Sequence, residues 1–309
     1  AVKNEGAAAV SSEEVNQMSS SEIVADMKVG WNLGNTLDSY NTSSSDNETG
    51  WGNPKTTKAM IDTVKDAGFN AVRIPVTWGE HLSADNTIDA DYLNRVQEIV
   101  DYAIDDNLYV ILNVHHDDAL WLHPTYSEQA AVTEKLTSIW QQLCERFGDY
   151  DHHLVFEGMN EPRVIGSATE WSGGTPEERD VINQLYQAFV DTVRATGGLN
   201  ADRTLIISSH AQSITKEAVS AVKIPDDAHI AVSIHSYAPW DFCGTEDTRS
   251  DWGSDADKQE LDTNFQYLED TFISKGVPVL LDEFGAVDKN NTSIRAQYYA
   301  YYVKSAKAH

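Results

Sequence analysis

The sequence predicts an α/β protein with a parallel (β/α) barrel of the TIM type. Strand-like apolar runs alternate strictly with amphipathic helical patterns from about residue 28 onward, and this alternation indicates right-handed βαβ units in a parallel sheet. The runs are continuously hydrophobic, as expected of strands that are buried on both faces. Seven β/α units are visible and an eighth is missing, although a barrel of this type has eight.

The predicted elements follow one another in short, regular steps. Strands are predicted at 28–35, 71–75, 109–115, 154–161, 204–208, 230–237 and 278–285. Helices are predicted at about 55–67, 88–104, 127–147, 177–196, 257–275 and 292–307. In the third of these helices, apolar residues recur at steps of three and four, which places them on one face.

Two segments lack this periodicity. Residues 1–21 are mostly Ala, Ser, Glu and Asn, a composition that predicts a flexible lead-in or linker. Residues 22–309 are then one barrel domain. The polar run 41–48 predicts a surface loop.

Composition excludes several classes of partner. The 309 residues carry a net charge of −27, which argues against nucleic acids and anionic membranes, because binding phosphate requires clustered Lys and Arg. No apolar run has the length of a membrane span.

The only cysteines, Cys144 and Cys243, cannot build a structural zinc site by themselves. The chain begins at Ala1 rather than Met, which favours a processed, secreted protein.

Polar residues gather at the C-terminal ends of the predicted strands, where barrels of this type carry their chemistry. A single Arg or His at such a position is usually structural, but packing does not explain so many of them. The candidate site residues are Asn35, Arg73, His115, His116, Asn160, Glu161, His235, Tyr237, Trp240 and Glu283.

Two glutamates stand out among these residues. Glu161 and Glu283 each end an apolar run, and glycoside hydrolysis requires two carboxyl groups, one to protonate the leaving oxygen and one to attack the sugar or activate water. Glu283 must stay ionised, and Arg73 is a candidate to hold it so. Glu157 lies deeper in its strand and is expected to be structural. Asp282 is adjacent to Glu283, so its side chain is expected on the opposite face.

The pair His115–His116 raises the question of a metal. Neighbouring residues on a strand point to opposite faces, and no third ligand has a suitable spacing. We therefore expect neither a metal nor a cofactor, and a metal-dependent hydrolase ranks as a distant third hypothesis.

Four tryptophans lie past strand ends, and the sequence does not decide whether they stack on sugar rings or pack in the core. They are Trp51, Trp121, Trp171 and Trp240.

Six motifs together resemble glycoside hydrolase family 5, in particular its bacterial endoglucanase branch. They are WNLGNT at 31–36, RIPVTW at 73–78, NVHHD at 113–117, FEGMNEPR at 156–163, HSY at 235–237 and EFG at 283–285. The resemblance runs from about residue 22 to the end. It implies a retaining endo-β-1,4-glucanase acting on a β-glucan polysaccharide, in a branch that also contains xyloglucanases and mixed-linkage glucanases.

The resemblance also assigns roles to residues. It implies that Glu161 is the acid/base and Glu283 the nucleophile. Supporting residues are implied at Arg73, His115, Asn160, His235 and Tyr237.

The chain departs from the family pattern at its end. Family 5 barrels have an eighth strand, which usually ends in a Trp beneath the reacting sugar, and this sequence stops at the end of the helical pattern that follows the seventh strand. We therefore expect a homo-oligomer that covers the open barrel edge. The alternative from another functional class is a non-catalytic glucan-binding barrel that lost its activity with the eighth strand.

Overall fold

Seven parallel strands form one sheet in chain order in the computed structural model, which describes residues 9–43, 47–245 and 249–309. The strands are β1 (Gly30–Asn32), β2 (Ala71–Ile74), β3 (Tyr109–Asn113), β4 (Leu154–Glu157), β5 (Leu205–Ser208), β6 (Ile230–His235) and β7 (Val279–Glu283). The sheet curls into a nearly closed barrel, in which the Asn32 side chain of β1 donates to the Asp282 carbonyl of β7 at 2.8 Å. All seven predicted strands are present.

Helices flank the strands. They are α1 (Ser12–Val15), α2 (Ser20–Met27), α3 (Lys58–Asp66), α4 (Ala90–Asp105), α5 (Gln129–Phe147), α6 (Pro176–Ala195), α7 (Lys216–Val219), α8 (Trp240–Cys243), α9 (Asp255–Thr271) and α10 (Thr292–Ala308). The six predicted helices correspond to α3, α4, α5, α6, α9 and α10. Over the part of the chain that the structure describes, no helix combines the length and apolar character needed to cross a membrane.

The flexible lead-in predicted for residues 1–21 is wrong over residues 9–21, while residues 1–8 lie outside the described part. Both α1 and α2 begin with a capping box, Ser11 with Glu14 and Ser19 with Glu22, in which each side chain satisfies a backbone N–H at the helix start. Val15 of α1 is fully buried. These helices pack against the first residues of the strands and close the N-terminal end of the barrel.

The surface loop predicted at 41–48 is only partly correct, and residues 44–46 lie outside the described residues. Glu48 is buried and accepts hydrogen bonds from Arg95 of α4 at 2.9 and 2.8 Å and from the backbone N–H of Thr56 at 2.7 Å. A buried carboxylate is tolerated here because it is paired and hydrogen-bonded.

The inward-facing side chains change character along the barrel axis. Near the N-terminal end they are apolar, with Ile111, Val155 and Ile206 in one buried cluster. Two residues further along the same strands they become polar. This upper layer contains Arg73, Asn113, Glu157 and Ser233, and it forms the floor of the candidate site.

Candidate active site

Arg73 on β2 is the centre of the floor. Its Nε and Nη2 donate to the two oxygens of Glu157 at 2.7 and 2.8 Å, which gives a bidentate ion pair. Nη2 also donates to Asn160 Oδ1 at 2.7 Å, and Nη1 donates to Asn32 Oδ1 at 3.1 Å and Glu283 Oε1 at 2.7 Å. All five guanidinium N–H groups are therefore satisfied, and the charge is fixed beneath Glu283.

A β-bulge places two acidic side chains of β7 inside the barrel. Ser233 pairs with Leu280 while His235 pairs with Glu283, so β7 has one residue more than β6 over this interval. Asp282 consequently lies inside the barrel, where its Oδ1 accepts from Ser233 Oγ at 2.5 Å and lies 3.3 Å from His235 Nε2. The expectation that Asp282 faces the opposite side from Glu283 is wrong, because a bulge breaks strict alternation.

Three groups hold Glu283 in its ionised form. Tyr237 donates its hydroxyl to Oε2 at 2.7 Å, Arg73 donates to Oε1 at 2.7 Å, and His235 Nδ1 lies 3.5 Å away. Burial alone would raise the pKa of Glu283, but the charges of His235 and Arg73 and the two hydrogen bonds outweigh it and bring the pKa to about 2. This carboxylate is an acceptor without a proton throughout the neutral range.

Glu161 lies above the end of β4, in a loop rather than in the strand. The strand stops at Glu157, and Glu161 has a left-handed backbone with φ of 40°, which is unusual for a non-glycine residue. Its N–H donates to Gln212 Oε1 at 2.7 Å. Its carboxyl contacts His235 Nδ1 through Oε1 at 2.8 Å and Arg163 Nη1 through Oε2 at 3.3 Å.

The two glutamates face one another across His235. One carboxylate oxygen of Glu161, one of Glu283 and a His235 nitrogen all lie within 4.8 Å of one another. This upper bound on the distance between one oxygen of each carboxyl group is compatible with the spacing of about 5 Å in retaining glycosidases.

His115 and His116 lie on the side of the site formed by the loop after β1. Asn113 accepts the Val76 N–H at 3.1 Å through Oδ1, so its amide nitrogen faces His115 Nδ1 at 2.9 Å. His115 therefore carries its proton on Nε2, 4.0 Å from Glu283 and from Asp38. Burial lowers the pKa of His115 well below its usual value, which keeps the ring neutral.

The two imidazoles lie on the same side, so the expectation of opposite faces is wrong. β3 ends at Asn113 and a 3-10 turn begins at His116, which brings the two ring centroids to 4.4 Å. Asp38 Oδ2 lies 3.7 Å from His116 and joins the two histidines in one group of close side chains, which the spacing in the sequence did not reveal. Asn35 is exposed beside it and donates its N–H to Asp38 at 3.0 Å.

Within the described residues, three side-chain groups have ligand atoms close enough to meet at one ion. They are Asp38 with His115 and His116, Glu157 with His235 and Asp282, and Glu161 with His235 and Glu283. The last two groups share His235. Burial would lower the pKa of His235, but the surrounding carboxylates raise it to about 10. The imidazole is therefore a cation that compensates the carboxylates of both groups. A further divalent ion would be repelled by this imidazolium and by Arg73.

The four tryptophans separate into two classes. Trp51, Trp171 and Trp240 are 41%, 59% and 60% exposed, although the Arg163 guanidinium lies over the Trp171 ring at 4.5 Å. Trp121 is half-buried against the core and donates its indole N–H to Asp117 at 2.6 Å. Trp51 lies 5.6 Å from the His116 ring, which places it next to the site.

Several residues that contact the site were missed by sequence reasoning. Gln212 belongs to a turn after β5, a strand whose end gave no signal, and it has a left-handed backbone with φ of 47°. Asp38, Asp118 and Arg163 come from loops after β1, β3 and β4. Arg163 follows directly on the Asn-Glu-Pro element, and that adjacency was the available signal.

We expect Arg73→Met to be strongly destabilising. It would leave the buried carboxylate of Glu157 without its partner, and breaking such a pair costs roughly 3–5 kcal/mol. Urea denaturation followed by circular dichroism measures the change. Arg295→Met is the matched control, because its pair with the exposed Asp288 at 3.4 Å should contribute no more than about 1 kcal/mol. Equal losses in the two variants would contradict the account of Arg73.

We expect His235 to make stability depend on pH above neutrality. Its folded-state pKa of about 10 lies above the ordinary value of 6.5, so its contribution is complete below pH 6.5 and is lost as the pH rises towards 10. The free energy of unfolding, measured in urea at several pH values, should fall less steeply over this interval in His235→Asn than in the unmodified protein. Parallel curves would show that His235 is not held charged.

Comparison with known proteins agrees with this geometry. The sequence model of "Cellulase (glycosyl hydrolase family 5)" matches residues 34–309. Endoglucanase A of Clostridium longisporum is 50% identical over 297 residues, covering 94% of this chain and 57% of the relative. Cellulase/esterase CelE of Acetivibrio thermocellus is 45% identical over 295 residues, covering 94% of this chain and 35% of the relative. The chain thus spans between about one third and three fifths of these relatives' length.

Solved structures give the same result. A GH5-4 broad-specificity endoglucanase from Clostridium longisporum superposes with a TM-score of 0.91 at 47% identity, covering 94% of this chain and 86% of that one. A GH5 xyloglucan-specific endo-β-1,4-glucanase from a metagenomic library, in complex with cellotriose, gives a TM-score of 0.89 at 45% identity, covering 96% and 87%. With motifs, fold and site geometry in agreement, the chain belongs to glycosyl hydrolase family 5.

Proposed function

We propose that this chain is a retaining endo-β-1,4-glucanase that hydrolyses cellulose-like β-glucans by double displacement. The observation that carries the proposal is a pair of carboxyl groups with one oxygen of each within 4.8 Å of the other. One of them, Glu283, is held ionised by Arg73, Tyr237 and His235. A retaining mechanism requires this spacing and this inequality between its two carboxyl groups.

In the first step, a Glu283 oxygen attacks the anomeric carbon while the glycosidic C–O bond breaks. Glu161 gives its proton to the leaving oxygen, so the shorter sugar chain departs as a neutral alcohol. The product on the enzyme is a glycosyl ester of Glu283. Arg73 and Tyr237 orient the attacking carboxylate through their hydrogen bonds to its two oxygens.

In the second step, water replaces the departed sugar. Glu161, now ionised, takes a proton from the water as its oxygen attacks the anomeric carbon and the bond to Glu283 breaks. The sugar leaves with its original β configuration, and both glutamates return to their starting protonation states. The two inversions give net retention.

Asn160 is placed to form a hydrogen bond with the sugar whose glycosidic bond is cleaved. Its Oδ1 accepts from Arg73 at 2.7 Å, so the amide nitrogen is the group that would meet the 2-hydroxyl. A hydrogen bond to this hydroxyl strengthens in the transition state of β-glycosidases. Asn35, His115, His116 and Trp240 would complete the substrate-binding surface.

The release of reducing sugars from carboxymethylcellulose tests the proposal. We expect activity in the unmodified chain, no activity in Glu283→Gln, and no change on adding a chelator. Binding of the polymer without hydrolysis would favour the non-catalytic glucan-binding alternative. Loss of activity in chelator would favour a metal-dependent hydrolase instead.

The proposal extends to the polysaccharide that the enzyme prefers. One related structure is described as a broad-specificity endoglucanase and another as xyloglucan-specific, so we propose a β-1,4-glucan backbone as the common requirement. Product analysis on cellulose, xyloglucan, mixed-linkage glucan, xylan and mannan decides. Preferential cleavage of xylan or mannan would overturn the assignment.

The polymers are too large to enter cells, so we also propose that the protein acts extracellularly, which activity in culture fluid would test.

We further propose that these residues associate into a homo-oligomer. Within the described residues, β1 and β7 face each other without strand pairing, and unpaired strand edges tend to be covered. Sedimentation velocity at micromolar concentration should show a species larger than a monomer. A clean monomer with ordinary thermal stability would contradict this proposal.

A further inference from the structure

The guanidinium of Arg163 lies against the carboxyl group assigned as acid/base. Its Nη1 donates to the Glu161 carbonyl at 2.9 Å and lies 3.3 Å from Glu161 Oε2. The side chain is largely buried, and its orientation is fixed by three further contacts. Nη1 donates to Asp118 Oδ2 at 2.6 Å, Nε donates to Glu170 at 3.0 Å, and the guanidinium stacks on the Trp171 ring at 4.5 Å.

Among the described residues, Asp118 forms its ion pair with Arg163. Its side chain is 1% exposed, and its second oxygen has no hydrogen-bond partner. Burial raises the pKa of Asp118 to about 7 even though Arg163 lowers it. A buried carboxylate of this kind is costly to keep, and here it anchors one cation next to the site.

The Glu161 carboxyl group has two side-chain partners, His235 and Arg163. Glu161 lies four residues beyond the end of β4 on a left-handed backbone, so the sheet does not fix its side chain. His235 holds Oε1 and Arg163 lies against Oε2 and the carbonyl of the same residue. Removing Arg163 would leave the carboxyl group held from one side only.

We propose that Arg163, anchored by Asp118 and Glu170, is the positioning residue that aims the Glu161 carboxyl at the leaving oxygen. It acts through Glu161 and does not itself touch the reacting atoms. The inference rests on the proposed role of Glu161 as acid/base. It implies that Arg163 matters most where the leaving group needs a proton, because misplacing a proton donor slows only a step that uses it.

The test compares kcat/KM for three aryl β-cellobiosides, which reports the first step. The leaving groups are 2,4-dinitrophenol, which departs without a proton, 4-nitrophenol, and phenol, which needs one. For Arg163→Met we expect a loss on the order of 10- to 100-fold on the phenyl substrate and a change within about threefold on the dinitrophenyl substrate. Arg163→Lys keeps the charge and should recover part of the loss. A uniform loss on all three substrates would overturn the proposal.

Asp118→Asn provides a second variant that keeps the shape of the anchor and removes its charge. It should show the same selectivity as Arg163→Met with a smaller loss, and a uniform loss or no loss would contradict the proposal even if Arg163→Met does not fold. Glu161→Ala, measured in parallel, distinguishes the acid/base role of Glu161 from the positioning role of Arg163. If it also slows all three substrates equally, the acid/base assignment fails. If it is selective and the Arg163 variants are not, only the positioning role fails.

Discussion

Replacing Glu283 by alanine should abolish hydrolysis of β-glucan. The variant loses the group that forms the covalent intermediate, and the rate should fall by on the order of 100,000-fold. Arg73, Tyr237 and His235 all direct hydrogen bonds or charge to this carboxylate, and the alanine side chain offers them no acceptor. Reducing-sugar release from carboxymethylcellulose measures the loss.

Azide distinguishes a missing nucleophile from a damaged site. In Glu283→Ala, azide can occupy the space left by the nucleophile, so it should restore turnover of 2,4-dinitrophenyl β-cellobioside and yield the α-cellobiosyl azide. Glu283→Gln keeps the volume and should respond poorly to azide. Rescue of both variants alike, or a β-configured product, would contradict the assignment of Glu283.

Replacing Glu161 by alanine should have an effect that depends on the substrate. Hydrolysis of β-glucan should fall by about 100- to 10,000-fold, the usual contribution of a general acid. Formation of the intermediate from 2,4-dinitrophenyl β-cellobioside should be nearly unchanged, because that leaving group departs without a proton. Azide should accelerate the second step and give the β-configured azide, since the intermediate on Glu283 is intact.

Glu157→Gln is the matched control for this variant. Glu157 is also a carboxyl group of the β4 region, but it is fully buried and occupied by Arg73, so its replacement should not produce leaving-group dependence. Similar leaving-group dependence in Glu157→Gln would show that the role of Glu161 has been misassigned.

The parts of the site that could be predicted are those fixed by regular strands. Arg73, His235 and Glu283 lie on parallel strands whose C-terminal ends meet at one edge of the barrel. Hydrophobic runs locate such strands in a sequence, and the residue at each end follows. The buried, structural character expected for Glu157 is correct for the same reason, because it belongs to β4 itself.

The parts that could not be predicted depend on departures from regular backbone. Asp282 enters the barrel through a bulge, and His115 and His116 share one side because β3 ends before them. Glu161 and Gln212 have left-handed backbone conformations. Neither Glu nor Gln favours this conformation, so the sequence did not indicate it. Long-range contacts such as Asp118 with Arg163 depend on loop geometry, which periodicity does not describe.

Residues 9–21 differ from these loops, because their sequence does contain a signal for helices. The spacing of Ser11 with Glu14 and of Ser19 with Glu22 is a capping-box pattern, and such patterns precede helices. The polar composition of residues 1–21 obscured it. Val15, Ile23 and Met27 are buried in the cluster that holds this segment beneath the barrel.

The anomeric configuration of the first product tests the central claim most directly. Proton NMR during hydrolysis of a cello-oligosaccharide records the new reducing end before mutarotation mixes the anomers. Double displacement through Glu283, with Glu161 within 4.8 Å, predicts that the β anomer appears first and the α anomer follows only by mutarotation. Initial release of the α anomer would mean a single displacement by water and would contradict the account.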